Sequence, residues 1–144
     1  MPEDRFDYRP HEKSWTLGKL AGHVAEGGAF AATVMEPELD FAAAGGEWQP
    51  FEPTTKAEVL AKLDEVGAIV AGSLAGRDDA FMTKTWTKRA GPKVIWEARR
   101  DQAFRTMAIH HTIHHRGQLE VYMRMVGAKL PPIYGPTADV PDMF

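Results

Sequence analysis

The run Met107-Ala108-Ile109-His110-His111-Thr112-Ile113-His114-His115-Arg116-Gly117-Gln118 holds four of the chain's six histidines. His111 and His115 stand four apart, so on a helix their imidazoles share one face, one turn above the other. That face continues through Phe104, Ala108, His111, His115, Gln118, Tyr122 and Val126 at alternating steps of four and three. Such a stripe is the inward side of a bundle helix. Burying an imidazole without a partner costs about 1–3 kcal/mol, and one divalent ion would satisfy both rings. A lone core histidine is most often a satisfied hydrogen-bonding group; a stacked pair is harder to dismiss. The register stays open at this point. His110 and His114 form a second pair, on a neighbouring stripe through Ala103, Met107, Gly117 and Val121. Thr112 follows His111, so the His-Glu-x-x-His pattern with its built-in general base is absent.

Three helices are expected to position these groups. Ser14 is the expected N-cap of the first, over about 14–36, with Leu17, Leu20, Ala21, Val24, Phe30, Ala31 and Val34 at helical spacing and Glu36-Pro37 as the stop. Gly27-Gly28 interrupts it, which suggests close packing or a ligand approaching the backbone. The pair weakens the helix by about 2 kcal/mol relative to two alanines. His23 lies on this helix with Glu26 one turn on, where a facing helix could bring it to the later pair. Residues 38–54, with Gly45-Gly46, Trp48, Pro50, Phe51 and Pro53, read as a loop that packs. Thr55-Lys56-Ala57-Glu58 is a capping box opening a second helix over about 56–75. The threonine-rich stretch Phe81–Thr87, the Gly91-Pro92 turn and Val94-Ile95-Trp96 predict a small β-hairpin or extended arm near 80–96. The third helix, over about 98–126, carries the histidine cluster and ends at Gly127.

Composition excludes several classes of function. The chain has 144 residues, suggesting one domain over 1–144, with 44% hydrophobic and 26% charged residues. A net charge of −3 and a pI near 6.1 leave no basic face for nucleic acid and no polybasic segment for a membrane. The absence of cysteine excludes disulfides, a thiol nucleophile and thiolate metal ligands. The N-terminal residues do not form a signal peptide and no run reaches transmembrane length. A cytoplasmic location is expected.

His111-Thr112-Ile113-His114-His115-Arg116-Gly117-Gln118-Leu119, then Tyr122, Arg124, Gly127 and Pro132-x-Tyr134-Gly135-Pro136, resemble the C-terminal signature of the DinB-like family of metal-dependent proteins. Asp7-Tyr8-Arg9-Pro10-His11 through His23-Val24-Ala25-Glu26 resembles that family's first-histidine segment. The resemblance implies an all-α, up-down helical bundle holding zinc, nickel or manganese on three histidines. Carried over by position, the ligands are His23, His111 and His115, which resolves the register. Three neutral nitrogens leave a position open for water or substrate, the catalytic rather than the structural pattern. Glu26, His114 and Gln118 are nearest by helical spacing to orient the ligands.

The family also implies a helix before the Asp-Tyr-Arg-Pro segment, and Met1 falls about where that helix would end. Three long helices in place of four would expose an apolar face, and a homodimer is the expected cover, unless residues 80–96 close it. Some relatives activate a low-molecular-weight thiol. A metal-dependent small-thiol S-transferase or hydrolase acting on a small molecule is therefore expected. The alternative is a non-enzymatic metal- or ligand-binding bundle of the stress response.

Overall fold

A computed structural model of the chain describes residues 1–43 and 49–142. Trp48 and the Gly45-Gly46 pair of the expected packing loop lie outside the described residues. The first helix, α1 (Leu17–Glu26), is capped by Thr16, whose side chain accepts from Lys19 N at 3.2 Å. Thr16, not Ser14, therefore opens it. The helix stops at Gly27-Gly28, as a 3₁₀ turn (Gly27–Ala29) leads into α2 (Phe30–Met35). The glycine pair is also where two neighbours press in. A Cβ on Gly28 would meet Val66 at 3.0 Å, and one on Gly27 would meet Thr112 Oγ1 at 3.4 Å.

The second long helix, α3 (Lys56–Leu74), opens on the expected capping box, with Thr55 and Glu58 bonding reciprocally. A single turn, α4 (Asp79–Met82), follows. The last helical stretch starts as α5 (Arg100–Phe104), widens into a π-turn over Arg105–His110 and resumes as α6 (His111–Met125). The π-turn adds a residue to the repeat. Its signature is that Ala103 and Ala108, five apart, are the buried alanines. The four-and-three stripe expected from Phe104 onward still holds across it: Phe104 packs on a core, Ala108 is buried, and His111 and His115 are half-buried.

The fold is helix-dominated, at about 52% helix, but it is not all-α. The expected hairpin forms as β2 (Thr85–Ala90) and β3 (Lys93–Arg99). Residues assigned to loop supply a third strand, β1 (Glu38–Asp40), which pairs in parallel with β2. Strand order is β1-β2-β3, and the β2/β3 register shifts at Lys88/Arg89. Three residues are too few to show alternation, so β1 exists because β2 offers it an edge.

Two cores result. Val34, Met35, Trp86 and Ala103 form one between α2, the sheet and α5, with Trp96, Phe81 and Phe104 packed around it. Ala21, Ala25 and Val59 form a thinner one between α1 and α3, covered by Met1, Phe6 and Leu119. α1 packs against α3 on one side and α6 on the other. α6 has no fully buried residue among those described.

Arg100 ties the two helical stretches together. It is 5% exposed. Its Nε donates to Val34 O at 2.9 Å and its Nη2 to Glu36 O at 2.8 Å. These are carbonyls left open at the end of α2, and the guanidinium also lies 4.3 Å from the Phe81 ring centroid. One side chain thus fixes the start of the histidine-bearing stretch to the end of the stretch that carries His23.

Candidate metal centre

α1 carries His23 on its inward face, and α6 presents His111 and His115 from its first two turns. The three rings meet. Centroid distances are 4.9 Å for His23–His111, 4.4 Å for His23–His115 and 4.5 Å for His111–His115. One ligand-type atom from each ring lies within 4.8 Å of the others. His23 Nε2 and His111 Nε2 are 3.3 Å apart. Two nitrogens bonded to one tetrahedral ion at about 2.0–2.1 Å stand about 3.3–3.4 Å apart. The spacing is that of two ligands sharing an ion, and the group could hold one.

The outer nitrogens are arranged to leave Nε2 inward. His115 Nδ1 and Gln118 Oε1 are 2.8 Å apart; with Nδ1–H donating, Nε2 keeps its lone pair. Glu26 Oε1 stands 3.5 Å from His23 Nδ1, while Glu26 Oε2 accepts from Phe51 N at 3.3 Å. His111 Nδ1 faces the missing Cβ of Gly27, at 3.8 Å from where it would be. Burial first, and then the charges of His115 and His111, push the His23 pKa down from 6.5 to about 4. His111 is lowered too, by burial and then by His115 and His114. Both rings are thus held neutral, the form that binds metal. Burial raises Glu26, against the Phe51 N–H and Lys62, which lower it.

Of the six residues singled out by sequence, five come together: the three rings, Glu26 and Gln118. His114 is exposed and stands at the edge of the group, in edge contact with His115 at a centroid distance of 4.8 Å. His110 is exposed and lies off the site. No fourth His, Asp or Glu joins the three among the described residues.

Sequence reasoning missed the walls. Trp15 stacks on His115 at 6.0 Å and 14°, and meets His23 edge-on at 5.1 Å. Phe30 meets His111 edge-on at 5.5 Å. A cavity of about 430 Å³ lies on the His115 side, lined by Pro10, Ser14, Trp15, Leu20, Gln118 and Tyr122. A second, of about 380 Å³, lies on the His111 side, with Phe30, Phe41 and Lys88 among its lining residues. Trp15 carried a signal, being an aromatic immediately before a helix that bears a ligand-type histidine. Phe41 and Lys88 carried none, because only the sheet brings them there.

The comparisons with known proteins agree with this architecture. The family model described as DinB family matches residues 1–141. The uncharacterized protein YrdA of Bacillus subtilis (strain 168) is 28% identical over 133 residues, 88% of this chain and 71% of that protein. The crystal structure of the DinB-like protein YjoA of Bacillus subtilis superposes with a TM-score of 0.67 at 19% identity, covering 92% of this chain and 83% of its own. A DinB-like protein from Bacillus cereus ATCC 10987 gives 0.65 at 20% identity, covering 93% and 83%. At those identities the structural likeness is one of fold.

Proposed function

Because the chain belongs to the DinB family, we propose that it is a divalent-metal-dependent enzyme, a small-thiol S-transferase or hydrolase, with His23, His111 and His115 as the metal ligands. The observation that carries this reading is the convergence of one nitrogen from each of three imidazoles within 4.8 Å, with no fourth His, Asp or Glu joining them among the described residues, beside a cavity that His115 itself lines. A position left open toward a cavity suits catalysis better than storage, which weighs against a purely metal-holding bundle. Imidazole nitrogens suit zinc and nickel, with manganese the harder-ligand outlier. Bound there, the ion would lower the pKa of a water or thiol.

The chain's own residues do the rest. Gln118 fixes the tautomer and tilt of His115. The Phe51 N–H holds Glu26 beside His23 Nδ1, where its carboxylate orients that ring. Trp15 covers His23 and His115 on one side. His114 stands at the edge of His115 and helps to keep His111 neutral.

The assembly we propose is a homodimer. Ile109, Ile113, Val121 and Met125, each four or eight residues from the next, form an exposed row along the last helix. Leu60, Leu63 and Ile69 are exposed on α3. Among the described residues no helix is long and apolar enough to cross a membrane, so a bilayer-spanning role does not account for these rows.

Metal analysis of the purified protein tests the centre. Stoichiometric divalent metal is expected in the parent chain and its loss in His111→Ala and in His115→Ala. Full occupancy in both variants would sink the ligand assignment. A thiol-dependent conjugation screen on metal-analysed protein tests the chemistry, and turnover that survives metal removal would end the enzyme reading of this site.

A further inference from the structure

The His111-side cavity, about 380 Å³, is lined by Phe30, Phe41, Lys88, Thr106, Met107 and His111. That volume is in the range of small-molecule sites, and the lining has their composition: mostly apolar, with one charged group. The charge is unexpected by its register. Trp86 faces the sheet-backed core with no exposed surface. Lys88, two residues on in β2, falls on the same face by strand alternation. An apolar side chain would be the ordinary occupant. Instead the ammonium lies 4.9 Å from the Phe41 ring centroid. Among the described residues it has no carboxylate within ion-pair distance.

A lysine at such a position can simply snorkel past apolar neighbours to water. The backbone around it argues for more. The β2/β3 ladder shifts register between Lys88 and Arg89, and on the other edge of β2 the Phe41 N–H bonds to Arg89 O at 3.0 Å. The 3₁₀ turn Gly27–Ala29 ends at Phe30. The π-turn Arg105–His110 contains Thr106 and Met107. All three walls thus give up regular hydrogen bonding at the residues that line this one cavity. Bulges and π-turns recur beside functional sites, where they re-aim side chains.

We propose that this cavity is the binding subsite for a small amphiphilic anion. An aromatic or branched apolar body would lie against Phe30, Phe41 and Met107, with a carboxylate, sulfonate or phosphate group on Lys88 and the reactive end toward His111. The inference rests on the metal-centre reading for the role of the subsite, but not for its existence. It divides the site in two: the cavity beyond Trp15 and His115 serves one reactant, and the Lys88 cavity serves the other.

The test compares naphthalene-1-sulfonate with neutral naphthalene-1-sulfonamide on metal-free and cobalt(II)-loaded protein. Affinities are read by titration, and the probe's proximity to the metal by paramagnetic relaxation of its ring protons. The parent should prefer the sulfonate by about tenfold. Lys88→Met should erase the preference, Lys88→Arg should restore it, and Phe41→Ala should weaken both probes alike. Lys93→Met, at an exposed position of β3, should change nothing. Sulfonate preference that persists in Lys88→Met overturns the proposal, as does a bound cobalt ion that leaves the probe's relaxation untouched. Cobalt that does not bind overturns the metal centre instead, and the metal-free comparison of the two probes still decides the subsite.

Discussion

Trp86, at the sheet-backed end, has no exposed surface, whereas Val121 on α6 keeps 59% of its own. The helical stretches that carry the histidines run through both ends and behave differently in each. Where α2 and α5 meet the sheet, they bury Val34, Met35 and Ala103, and Arg100 closes the open carbonyls of α2. Where α1 meets α6, imidazoles make most of the contact surface, Leu119 packs on the thin core, and Ile113, Val121 and Met125 of α6 face outward. The closed end supplies stability. The open end places neutral nitrogens next to two cavities, an arrangement that a well-filled core would not allow. Metal ligands set on rigid elements that are anchored elsewhere keep their geometry without being buried themselves.

The largest expected effect breaks the closed end. Trp86→Ala empties the centre of that core and should cost about 3–5 kcal/mol, read as a drop in the urea midpoint at constant slope. Because Arg100 couples the ends, the variant should also loosen the metal site, seen as faster metal loss to a chelator. A loss of stability under ~1 kcal/mol would show that the sheet-backed core is not what holds the fold.

The next effect belongs to the open end and depends on pH. His23 titrates near 4 in the metal-free fold against 6.5 ordinarily. Between these values the unfolded chain binds more protons than the folded one. The stability associated with burying a neutral ring is therefore fully present above pH 6.5 and is lost as the pH falls toward 4. One proton gives a slope of up to about 1.4 kcal/mol per pH unit in that window, and His111, lowered for the same reason, adds to it. Urea midpoints of metal-stripped protein should fall across the window, less steeply in His23→Gln. Equal slopes in the two proteins would mean that His23 is not the group concerned.

The two ends also differed in how far the sequence disclosed them. Helix α3 was legible because Thr55 and Glu58 mark its start chemically. The pairing of His23 with His111 and His115 came from the family resemblance, since periodicity alone left His110/His114 open. The π-turn was hidden because no glycine or proline marks Arg105–His110; only Ala103 and Ala108, buried five apart, reveal the extra residue. The strand Glu38-Leu39-Asp40 forms through pairing with β2, a tertiary event that no local pattern encodes. Arg100 and Lys88 looked like ordinary surface cations, because what distinguishes them is which carbonyls or rings the fold sets opposite them.

A smaller effect sharpens the picture of the metal centre. Gln118→Ala removes the acceptor 2.8 Å from His115 Nδ1 but no ligand atom. Loss of such orienting partners commonly costs about 10–100-fold in metal affinity or activity. Isothermal titration with zinc should show weakening in that range with stoichiometry unchanged. Affinity equal to the parent's would leave Gln118 as a surface residue that happens to touch His115.

The smallest expected effect on the stability of the folded chain lies on the outward face of the open end. Val121 is 59% exposed, and serine there should fall within about ±0.5 kcal/mol; Ile113 is 37% exposed, and serine there should cost about 1 kcal/mol of lost apolar burial within one chain. The same pair sits in the middle of the apolar row through Ile109 and Met125, which is the surface the proposed homodimer would cover. A two-fold contact places this row against its own copy, so each substitution counts twice in the interface. Light scattering should then give twice the 16.0 kDa chain mass for the parent at micromolar concentration and the single-chain mass for Ile113→Ser/Val121→Ser. The parent's melting temperature should rise with protein concentration, and the variant's should not. A parent that runs as one chain would remove the dimer and leave the row as ordinary exposed surface; a variant that stays dimeric would move the interface to α3, around Leu60 and Leu63.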